Sequence, residues 1–160
     1  MIKIIQVKTE EQLTLAKELF KEYAISLGFD LAFQNFDKEF AELPGNYAAL
    51  EGRLLLAFEN AEAVGCVGLR KFRPGICEMK RMYVREKFRG KGIGRRLASA
   101  VIKEAKEIGY KEMRLDTVPW MKEAINLYLS IGFNEIESYR YNPIPGSRFF
   151  SLNLKKVNIK

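Results

Sequence analysis

The chain has 160 residues, of which 48% are hydrophobic and 29% are charged, and its formal net charge is +7. This composition is typical of a globular protein, and the absence of histidine excludes Ser-His-Asp and Cys-His catalysis and argues against the usual zinc hydrolase sites. No apolar run is long enough to span a membrane, and the first residues lack the layout of a signal peptide, so we expect no membrane partner.

Cysteine usage indicates a reducing compartment. Cys66 and Cys77 are the two cysteines, they lack the spacing of a Cys-x-x-Cys motif, and no histidine is available to join them in a metal site. We therefore expect two buried thiols in a cytoplasmic protein that has no disulfide bond and binds no metal.

The first half of the chain predicts a strand, two helices and three further strands. Residues 2–7 predict the first strand, and Thr9 with Gln12 fits a capping box that begins an amphipathic helix, for which Gly28 is the expected end. Residues 29–43 predict a second, weaker helix that ends at the turn LPGN. The next strands are expected at 53–58, 63–71 and 76–84. The turns between these strands, ENAE and RPG, are too short for crossovers and favour antiparallel pairing.

The second half predicts alternating helices and strands. The segment RGKGIG leads into a helix over 93–108, which Gly109 closes. The remaining elements are a strand at 113–117, a helix at 121–131 and strands near 134–139 and 149–154. The order of elements predicts a single domain over residues 1–160, of the α+β class, with a mixed sheet that carries helices on its faces.

The segment RGKGIG also predicts an anion-binding site. Gly90, Gly92 and Gly94 allow successive backbone N–H groups to converge, and the helix that follows adds the unpaired amides and partial positive charge of its N-terminus. Arg95 and Arg96 lie in the first turn of this helix, where the dipole disfavours cations. A bound anion would remove this conflict, so the arginines favour a phosphate ligand over a flexible turn with solvated cations.

The excess charge is confined to the same region. Residues 80–96 contain eight basic side chains and one acid. Such a local patch favours a compact polyanion over nucleic acid. Two common phosphate motifs do not fit, because the Walker pattern G-x-x-x-x-G-K-S/T is absent and the Rossmann glycines have a different spacing and context. The basic residues are Lys80, Arg81, Arg85, Lys87, Arg89, Lys91, Arg95 and Arg96.

Two motifs resemble the GNAT superfamily of acyl-CoA-dependent N-acetyltransferases. The first is R-x-x-G-x-G, formed by Arg89, Gly92 and Gly94 between a strand and an amphipathic helix. The second lies in LDTVPWMKEAINLYLSIGF, which is similar to a later block of the family, A-x-x-L-Y-x-x-x-G-F. Its matching residues are Ala124, Leu127, Tyr128, Gly132 and Phe133. The resemblance covers nearly the whole chain and implies a three-layer α/β/α fold with a mostly antiparallel sheet.

The resemblance implies that acetyl-CoA binds as a co-substrate along the strand end and the glycine loop. The backbone of Met82, Tyr83 and Val84 would pair with the pantetheine arm, and a backbone N–H near Val84 would polarise the thioester carbonyl. Loop N–H groups would hold the pyrophosphate. These groups belong to Arg89, Gly90, Lys91, Gly92, Ile93, Gly94 and Arg95.

The family mechanism implied for this chain is direct attack of an amine on the thioester, with no covalent enzyme intermediate. Tyr128 is the expected general acid that protonates the departing thiolate and contacts the cofactor thiol, although a core tyrosine would explain the same residue. Glu78, on the strand before the loop, is the expected base, directly or through water. Many family members carry an asparagine where this chain has Met121, and its thioether would pack against pantetheine instead.

The acceptor amine is expected to enter over the early helices and the late loop. The segments SLGFDLAFQNF and YRYNPIPGSRFF would line this entrance. Arg140 and Arg148 would suit a substrate carboxylate, with surface solvation as the alternative. The aromatic residues of these segments form either a pocket or part of the core, and they are Phe29, Phe33, Phe36, Tyr139 and Tyr141. The resemblance thus implies a small-molecule amine or a protein or peptide amine as partner, and a homodimer is the usual assembly in the family.

Two other functions remain open from the sequence. A non-catalytic acyl-CoA sensor on the same fold would keep the glycine loop and lose the acid and base, against which Tyr128 counts. A nucleic-acid-binding module would need a broad basic face with interleaved aromatic residues, whereas the charge here is confined to one loop. The sequence therefore favours an N-acetyltransferase.

Overall fold

The computed structural model describes residues 1–31, 35–48 and 50–158, and it places seven strands in one sheet. The strands are β1 (Ile2–Gln6), β2 (Arg53–Glu59), β3 (Glu62–Arg73), β4 (Ile76–Val84), β5 (Glu112–Thr117), β6 (Asn134–Ile136) and β7 (Arg148–Asn153). The helices are α1 (Glu10–Leu27), α2 (Phe36–Glu42), α3 (Ile93–Ile108) and α4 (Lys122–Ile131). The predicted α+β class is confirmed. Among the described residues, no helix is long and apolar enough to cross a membrane.

The sheet opens between two of its central strands. The strand order is β1-β2-β3-β4-β5-β7-β6, and all neighbours are antiparallel except the parallel pair β4 and β5. That pair is short, because Ile76–Glu78 of β4 faces Glu112–Arg114 of β5. Both strands continue beyond this ladder, so a gap forms between their C-terminal halves. The gap positions the candidate site described below.

Two apolar clusters cover the two faces of the sheet. Side chains of α3 and α4 pack with Cys77 and Met79 on one face, and side chains of α1 pack with Cys66 and Tyr47 on the other. Removing these side chains from water is the main favourable contribution to folding. Cys66 and Cys77 are free thiols and both are buried, as the sequence predicts.

The first helix begins and ends where the sequence predicts. The Gln12 amide donates to Thr9 Oγ1 at 3.1 Å, and the Thr9 amide donates to Gln12 Oε1 at 3.2 Å, which forms the capping box. The helix ends at Leu27 because Gly28 adopts a φ of 77°, a left-handed conformation that favours glycine. Local sequence therefore sets both ends of α1.

Two predicted elements are shorter in the structure. The helix expected over 29–43 is observed as the seven-residue α2, and residues 32–34 of the expected range lie outside the described residues. Asn35 precedes α2 with a φ of 55°, a left-handed conformation that does not continue a helix. β6 ends at Ile136, before the predicted end at Tyr139, and the Tyr139 hydroxyl donates to Glu78 of β4 at 2.8 Å.

Candidate active site

A β-bulge in β4 changes which side chains face the helices. Arg81 and Met82 together oppose a single residue of β3, Val67. Arg81 has a φ of 58°, a left-handed conformation that costs a non-glycine residue about 1 kcal/mol or more. After the bulge, Lys80 and Arg81 both lie on the side of Tyr23 from α1, while Met82 packs on the α3–α4 cluster. Two consecutive cations therefore enter the protein interior.

A cavity of about 40 Å³ lies in the gap between β4 and β5. Both helical layers contribute to it, because its lining comes from α1, β4, β5 and the start and body of α4. The polar and sulfur-bearing lining residues are Tyr23, Met79, Lys80, Arg81, Met82, Asp116, Thr117, Met121 and Tyr128. Met121 thus lies at the cavity, whereas Asn126, the nearest asparagine in the sequence, is exposed on α4.

Tyr128 from α4 belongs both to the core and to the cavity. Its ring packs against Phe133 with 5.6 Å between the ring centroids, and it is buried. No described residue forms a hydrogen bond with its hydroxyl, although the residue lines the cavity. Burial raises the pKa of this hydroxyl, so it keeps its proton at neutral pH. The cavity therefore contains a hydrogen-bond donor whose proton is not engaged by the described part of the chain.

Lys80 and Asp116 form a buried pair in the same cavity. Lys80 Nζ lies 3.6 Å from Asp116 Oδ1, and their side chains are 3% and 2% exposed. Asn142 Nδ2 also donates to Asp116, at 3.1 Å. Burial and the neighbouring Arg81 guanidinium outweigh the attraction of Asp116 and lower the pKa of Lys80 to about 7. A substantial fraction of Lys80 is therefore a neutral amine at physiological pH.

Glu78, the predicted general base, is held by three donors. Arg70 Nε donates to it at 3.0 Å, Arg140 Nη1 at 2.7 Å and the Tyr139 hydroxyl at 2.8 Å. Burial alone would raise the pKa of Glu78, but Lys80, Arg70 and Arg140 outweigh burial and lower it to about 2. A carboxylate with this pKa binds protons weakly near neutral pH, so the geometry does not favour Glu78 as the base.

Glu39 of α2 connects this cluster to the bulge. It accepts hydrogen bonds from Arg81 Nε at 2.8 Å and from Arg81 Nη2 at 3.1 Å, and it lies 3.5 Å from Arg70 Nη1. Burial disfavours the charge of Arg81, but the hydrogen bonds and charge of Glu39 more than offset this and raise the pKa of Arg81. The contacts tie α2 to β3 and β4 and hold the strained Arg81 conformation.

The glycine loop presents a run of free amides. Gly90 and Gly92 have φ values of 80° and 79°, and α3 begins directly after Gly92 without a side-chain cap. No described residue accepts a hydrogen bond from the backbone amides of residues 90–95. These amides therefore form a concave donor surface of the kind that binds anions.

The loop lies against the end of β4 and against α4. A Cβ placed on Gly94 would be 3.7 Å from Leu127 Cδ2 and 4.0 Å from Val84 Cγ2, so the three elements meet there. Arg89 Nε donates to the Val84 carbonyl at 2.8 Å, and Arg95 Nη2 donates to the Ser130 hydroxyl at 2.6 Å. The structure thus brings the predicted cofactor-binding strand end, loop and α4 together.

The exposed basic patch is narrower than the sequence indicates. Lys80 and Arg81 are buried, and Arg85 is held by Glu22 through two hydrogen bonds of 3.0 and 2.7 Å. The side chains that remain exposed around the loop are Lys87, Arg89, Lys91, Arg95 and Arg96. Three of the eight residues assigned to the patch are therefore buried or held in an ion pair.

The predicted entrance residues separate into different environments. Arg140 reaches Glu78, but Arg148 pairs with Glu135 at 2.7 Å near the edge of the sheet, away from the cavity. The aromatic residues mainly pack on one another: Phe29 on Trp120, Phe36 on Phe40, and Tyr139 between Phe72 and Phe149. Tyr141 is largely exposed, and Phe33 lies outside the described residues.

Sequence reasoning missed the interior cluster of Lys80, Asp116 and Glu39. The available signal was the pair Lys80–Arg81 inside an otherwise apolar strand. Alternation along a regular strand would put these two cations on opposite faces, so their shared burial depends on the bulge.

One known protein family matches most of this chain in sequence. A sequence profile described as the acetyltransferase (GNAT) family matches residues 15–133. The chain belongs to the GNAT family. The match includes the bulged strand, the glycine loop and the block that contains Tyr128. The resemblance found in the two sequence motifs is therefore confirmed.

Similar proteins align with this GNAT protein over nearly its full length. An N-acetyltransferase of Schizosaccharomyces pombe, itself described as uncharacterized, is 40% identical over 97% of this chain and 96% of its own. A GNAT-family acetyltransferase structure from Staphylococcus aureus aligns with a TM-score of 0.79 at 25% identity, covering 96% of this chain and 99% of the other. The protein yncA of Salmonella typhimurium, solved with its cofactor acetyl-CoA, shares the fold with a TM-score of 0.73 at 21% identity, covering 97% and 95%.

Proposed function

We propose that this GNAT protein is an N-acetyltransferase that moves the acetyl group of acetyl-CoA to a primary amine. The observation that carries the proposal is the run of unpaired amides at residues 90–95, which meets the end of β4 beside the cavity of Tyr128. A pyrophosphate on the loop and a thioester in the cavity would lie along one strand. The N-acetyltransferase name of the Schizosaccharomyces pombe relative supports this function.

Acetyl-CoA recognition would be divided between backbone and side chains. The loop amides of residues 90–95 would hold the pyrophosphate, and the exposed cations beside them would attract the remaining phosphate. The Arg89 amide, which the sequence also suggested for this role, already donates to the Glu86 carbonyl at 3.1 Å. β4 has no β5 partner beyond Glu78 in the described ladder, which leaves polar backbone groups of Met82, Tyr83 and Val84 for the pantetheine arm. Since Arg89 already donates to the Val84 carbonyl, the arm would use the remaining groups of this segment.

The acceptor must lose a proton before it attacks, and Lys80 is the group proposed to take it. A neutral Lys80 amine would accept a proton from the acceptor ammonium, and Asp116 would stabilise the resulting charge. In this proposal Glu78, predicted as the base, instead holds Arg70 and Arg140 in place.

The remaining steps would need no covalent enzyme intermediate. The amine nitrogen forms a bond to the thioester carbon, and the carbon–sulfur bond then breaks. Tyr128 donates its hydroxyl proton to the departing thiolate and regains a proton from the acylated nitrogen. The products are an amide and free CoA.

Calorimetry and turnover assays test this function directly. We expect acetyl-CoA and CoA to bind more tightly than dephospho-CoA, and a screen of primary amines to release CoA thiol. A wild-type protein that binds neither acetyl-CoA nor CoA at millimolar concentration would overturn the acetyltransferase proposal. Binding without thiol release from any amine class would favour an acyl-CoA sensor instead.

Replacing the Tyr128 hydroxyl separates catalysis from folding. Tyr128→Phe should lower kcat by about a hundredfold, because a general acid typically contributes at least that factor. Stability should change little, since the hydroxyl has no partner among the described residues. Tyr110→Phe is the matched control, because Tyr110 donates to the Glu51 carbonyl at 2.6 Å and its loss should reduce stability without reducing kcat. Equal kcat in Tyr128→Phe and wild type would exclude the acid role.

A further inference from the structure

A second and larger cavity lies between α2 and the loop that follows β6. Its volume is about 370 Å³, and it shares no lining residue with the cavity of Tyr128. Residues 35–47 form one wall, and Arg70 of β3 and Arg140 of the late loop contribute to the other. Most of its lining is polar or charged, so it suits a small polar ligand better than an apolar one.

Arg140 offers this cavity an unused binding edge. Its Nη1 donates to Glu78 at 2.7 Å, and its side chain is 21% exposed. No described residue accepts a hydrogen bond from its Nε or Nη2. These two nitrogens form the edge with which a guanidinium binds a carboxylate in two parallel hydrogen bonds.

Other arginines of the chain show this geometry on carboxylates. Arg148 holds Glu135 through Nε at 2.9 Å and Nη2 at 2.7 Å, and Arg85 holds Glu22 through the same atoms at 3.0 and 2.7 Å. Arg140 differs because it belongs to the lining of a cavity and no described acidic side chain accepts a hydrogen bond from its equivalent edge. Its charge cannot be removed by deprotonation, so it remains a permanent anion-binding group.

Tyr47 supplies a second, independent observation. Tyr47 belongs to the lining of the same cavity and is 1% exposed, and its hydroxyl has no hydrogen bond of standard geometry among the described residues. Burial raises the pKa of this hydroxyl, and the charge and hydrogen-bonding influence of the nearby Glu39 carboxylate raise it further, so it remains a donor. A buried hydroxyl without a well-formed hydrogen bond is rare in folded proteins, and a ligand acceptor would satisfy it.

The acids of this cavity do not oppose an anion at Arg140. Glu39 is already neutralised by Arg81 and Arg70, which contact it at 2.8 and 3.5 Å. Glu42 is exposed on α2, where solvent and salt screen its charge. Lys38 adds a further cation to the wall.

The spacing of Glu78 and Lys80 along β4 limits the size of the acceptor. Glu78, which holds Arg140, and Lys80, which lines the Tyr128 cavity, lie two residues apart on the same face of β4. Such residues are separated by about 6.7 Å. An anion at Arg140 and an amine near Lys80 would therefore belong to one compact molecule.

We propose that this cavity, through the Nε–Nη2 edge of Arg140 and the Tyr47 hydroxyl, binds the carboxylate of the acceptor. The substrate class is then a free amino acid or a similarly compact amino carboxylate, and not the N-terminus of a protein. The inference rests on the proposed acetyl transfer and adds the identity of the acceptor.

Matched acceptor pairs test the inference. Each pair consists of an amino acid and its carboxamide, with the same side chain and amine, and thiol release is measured for both. Wild type should prefer the acids by at least about tenfold in kcat/KM, the scale of a hydrogen bond to a charged group. Arg140→Gln should remove this preference by lowering kcat/KM for the acids more than for the carboxamides. Tyr47→Phe should reduce the preference for the acids in part.

Control variants distinguish binding from misfolding. Arg148→Gln removes an arginine at the start of β7 that already has a carboxylate partner, so it should leave the acid preference intact. Arg140→Lys keeps the charge without the two-nitrogen edge and should recover little of the preference. Measurable turnover of the carboxamides by Arg140→Gln, together with a thermal unfolding midpoint close to that of wild type, would show that the thioester site is still folded.

Failure of the inference and failure of the proposed function give different results. If acids and carboxamides react equally in wild type and Arg140→Gln, acetyl transfer stands and the carboxylate site is wrong. If acetyl-CoA binds but no amine reacts, calorimetry of amino acids with the CoA-loaded protein decides, and no binding at millimolar concentration overturns the inference. If acetyl-CoA itself does not bind, the proposed function fails first.

Discussion

Lys80 shows how the environment of one residue changes its chemistry. A solvated lysine carries a full charge at neutral pH, with a pKa of about 10.4. Lys80 lies in the interior, beside a second cation, and its 3.6 Å contact with Asp116 is longer than a strong ion pair. The groups that act on its charge are Arg81, Asp116, Glu78 and Arg70. Burial and these charges together lower the pKa of the amine to about 7, which is the range in which a general base is most effective.

The role proposed for Lys80 predicts a specific pH dependence. Its pKa is lowered to about 7, so the neutral, proton-accepting form is lost as the pH falls below this value. We expect kcat/KM to rise with pH through about 7 and then to level, in initial-rate assays at constant ionic strength. Lys80→Met should lower kcat/KM by about a hundredfold and remove this rise.

A surface lysine provides the control for Lys80. Lys103→Met removes an exposed lysine from α3 and should leave the pH profile unchanged. A wild-type profile without an inflection near pH 7, or a Lys80→Met profile that keeps it, would assign the proton transfer to another group.

At the scale of elements, the site depends on how short segments end and pair. The bulge in β4 puts Lys80 and Arg81 on one face, and the left-handed glycines of the loop leave amides unpaired before α3. These features stabilise no regular element by themselves. They position donors and charges at the gap between β4 and β5.

Gly92 and Gly109 separate the binding role of the loop from backbone strain. They occupy left-handed conformations at the two ends of α3, with φ values of 79° and 109°, and a Cβ on either would meet no atom within 4 Å. Alanine at either position should therefore reduce the free energy of unfolding by about 1 kcal/mol. Gly92→Ala alone should also weaken CoA binding, by at least about tenfold. Equal CoA affinity in the two variants, measured by calorimetry, would contradict a phosphate-binding role for the loop.

The Glu78 cluster joins three elements and should make stability depend on acid. Its folded pKa, about 2, lies below the unfolded value of about 4.3, so its contribution to stability is present above about pH 4.3 and is lost as the pH falls toward 2. Glu78→Gln should lower the free energy of unfolding at pH 7 by about 3 kcal/mol, because Arg70 and Arg140 lose a buried partner.

The pH dependence of this difference is the decisive measurement. Urea unfolding should give a smaller difference in free energy of unfolding between wild type and Glu78→Gln at pH 3 than at pH 7. The stabilising contribution of the wild-type Glu78 carboxylate is already reduced at pH 3. Glu135→Gln, which breaks an exposed pair with Arg148, should change stability by less than about 1 kcal/mol at both pH values.

At the scale of the whole molecule, charge and topology divide the site into two sides. The exposed cations gather around the loop between β4 and α3, while the buried cations Lys80 and Arg81 lie toward α1 and α2. The short parallel pairing of β4 and β5 leaves the gap that connects these sides. The proposed cofactor and acceptor would approach the same gap from opposite faces of the sheet.

The sequence alone determined the features that depend on neighbours along the chain. The capping box of α1, the bounds of β4 and α3, the hairpin turns and the glycine loop follow from local patterns, because they are set by short-range hydrogen bonds and allowed dihedrals. The family motifs also belong to this class, since each lies within one loop or one helix.

Only the tertiary structure decided which charged residues meet in the interior. Glu39, Arg70, Glu78 and Arg140 come from separate parts of the chain, and their ion pairs depend on sheet order and on the packing of α2. The local excess of charge placed Lys80 and Arg81 in a surface patch, whereas the fold buries both, and the bulge puts Arg81 on the same face as Lys80. Electrostatic environment is a property of neighbours in space, and those neighbours are fixed only when the chain has folded.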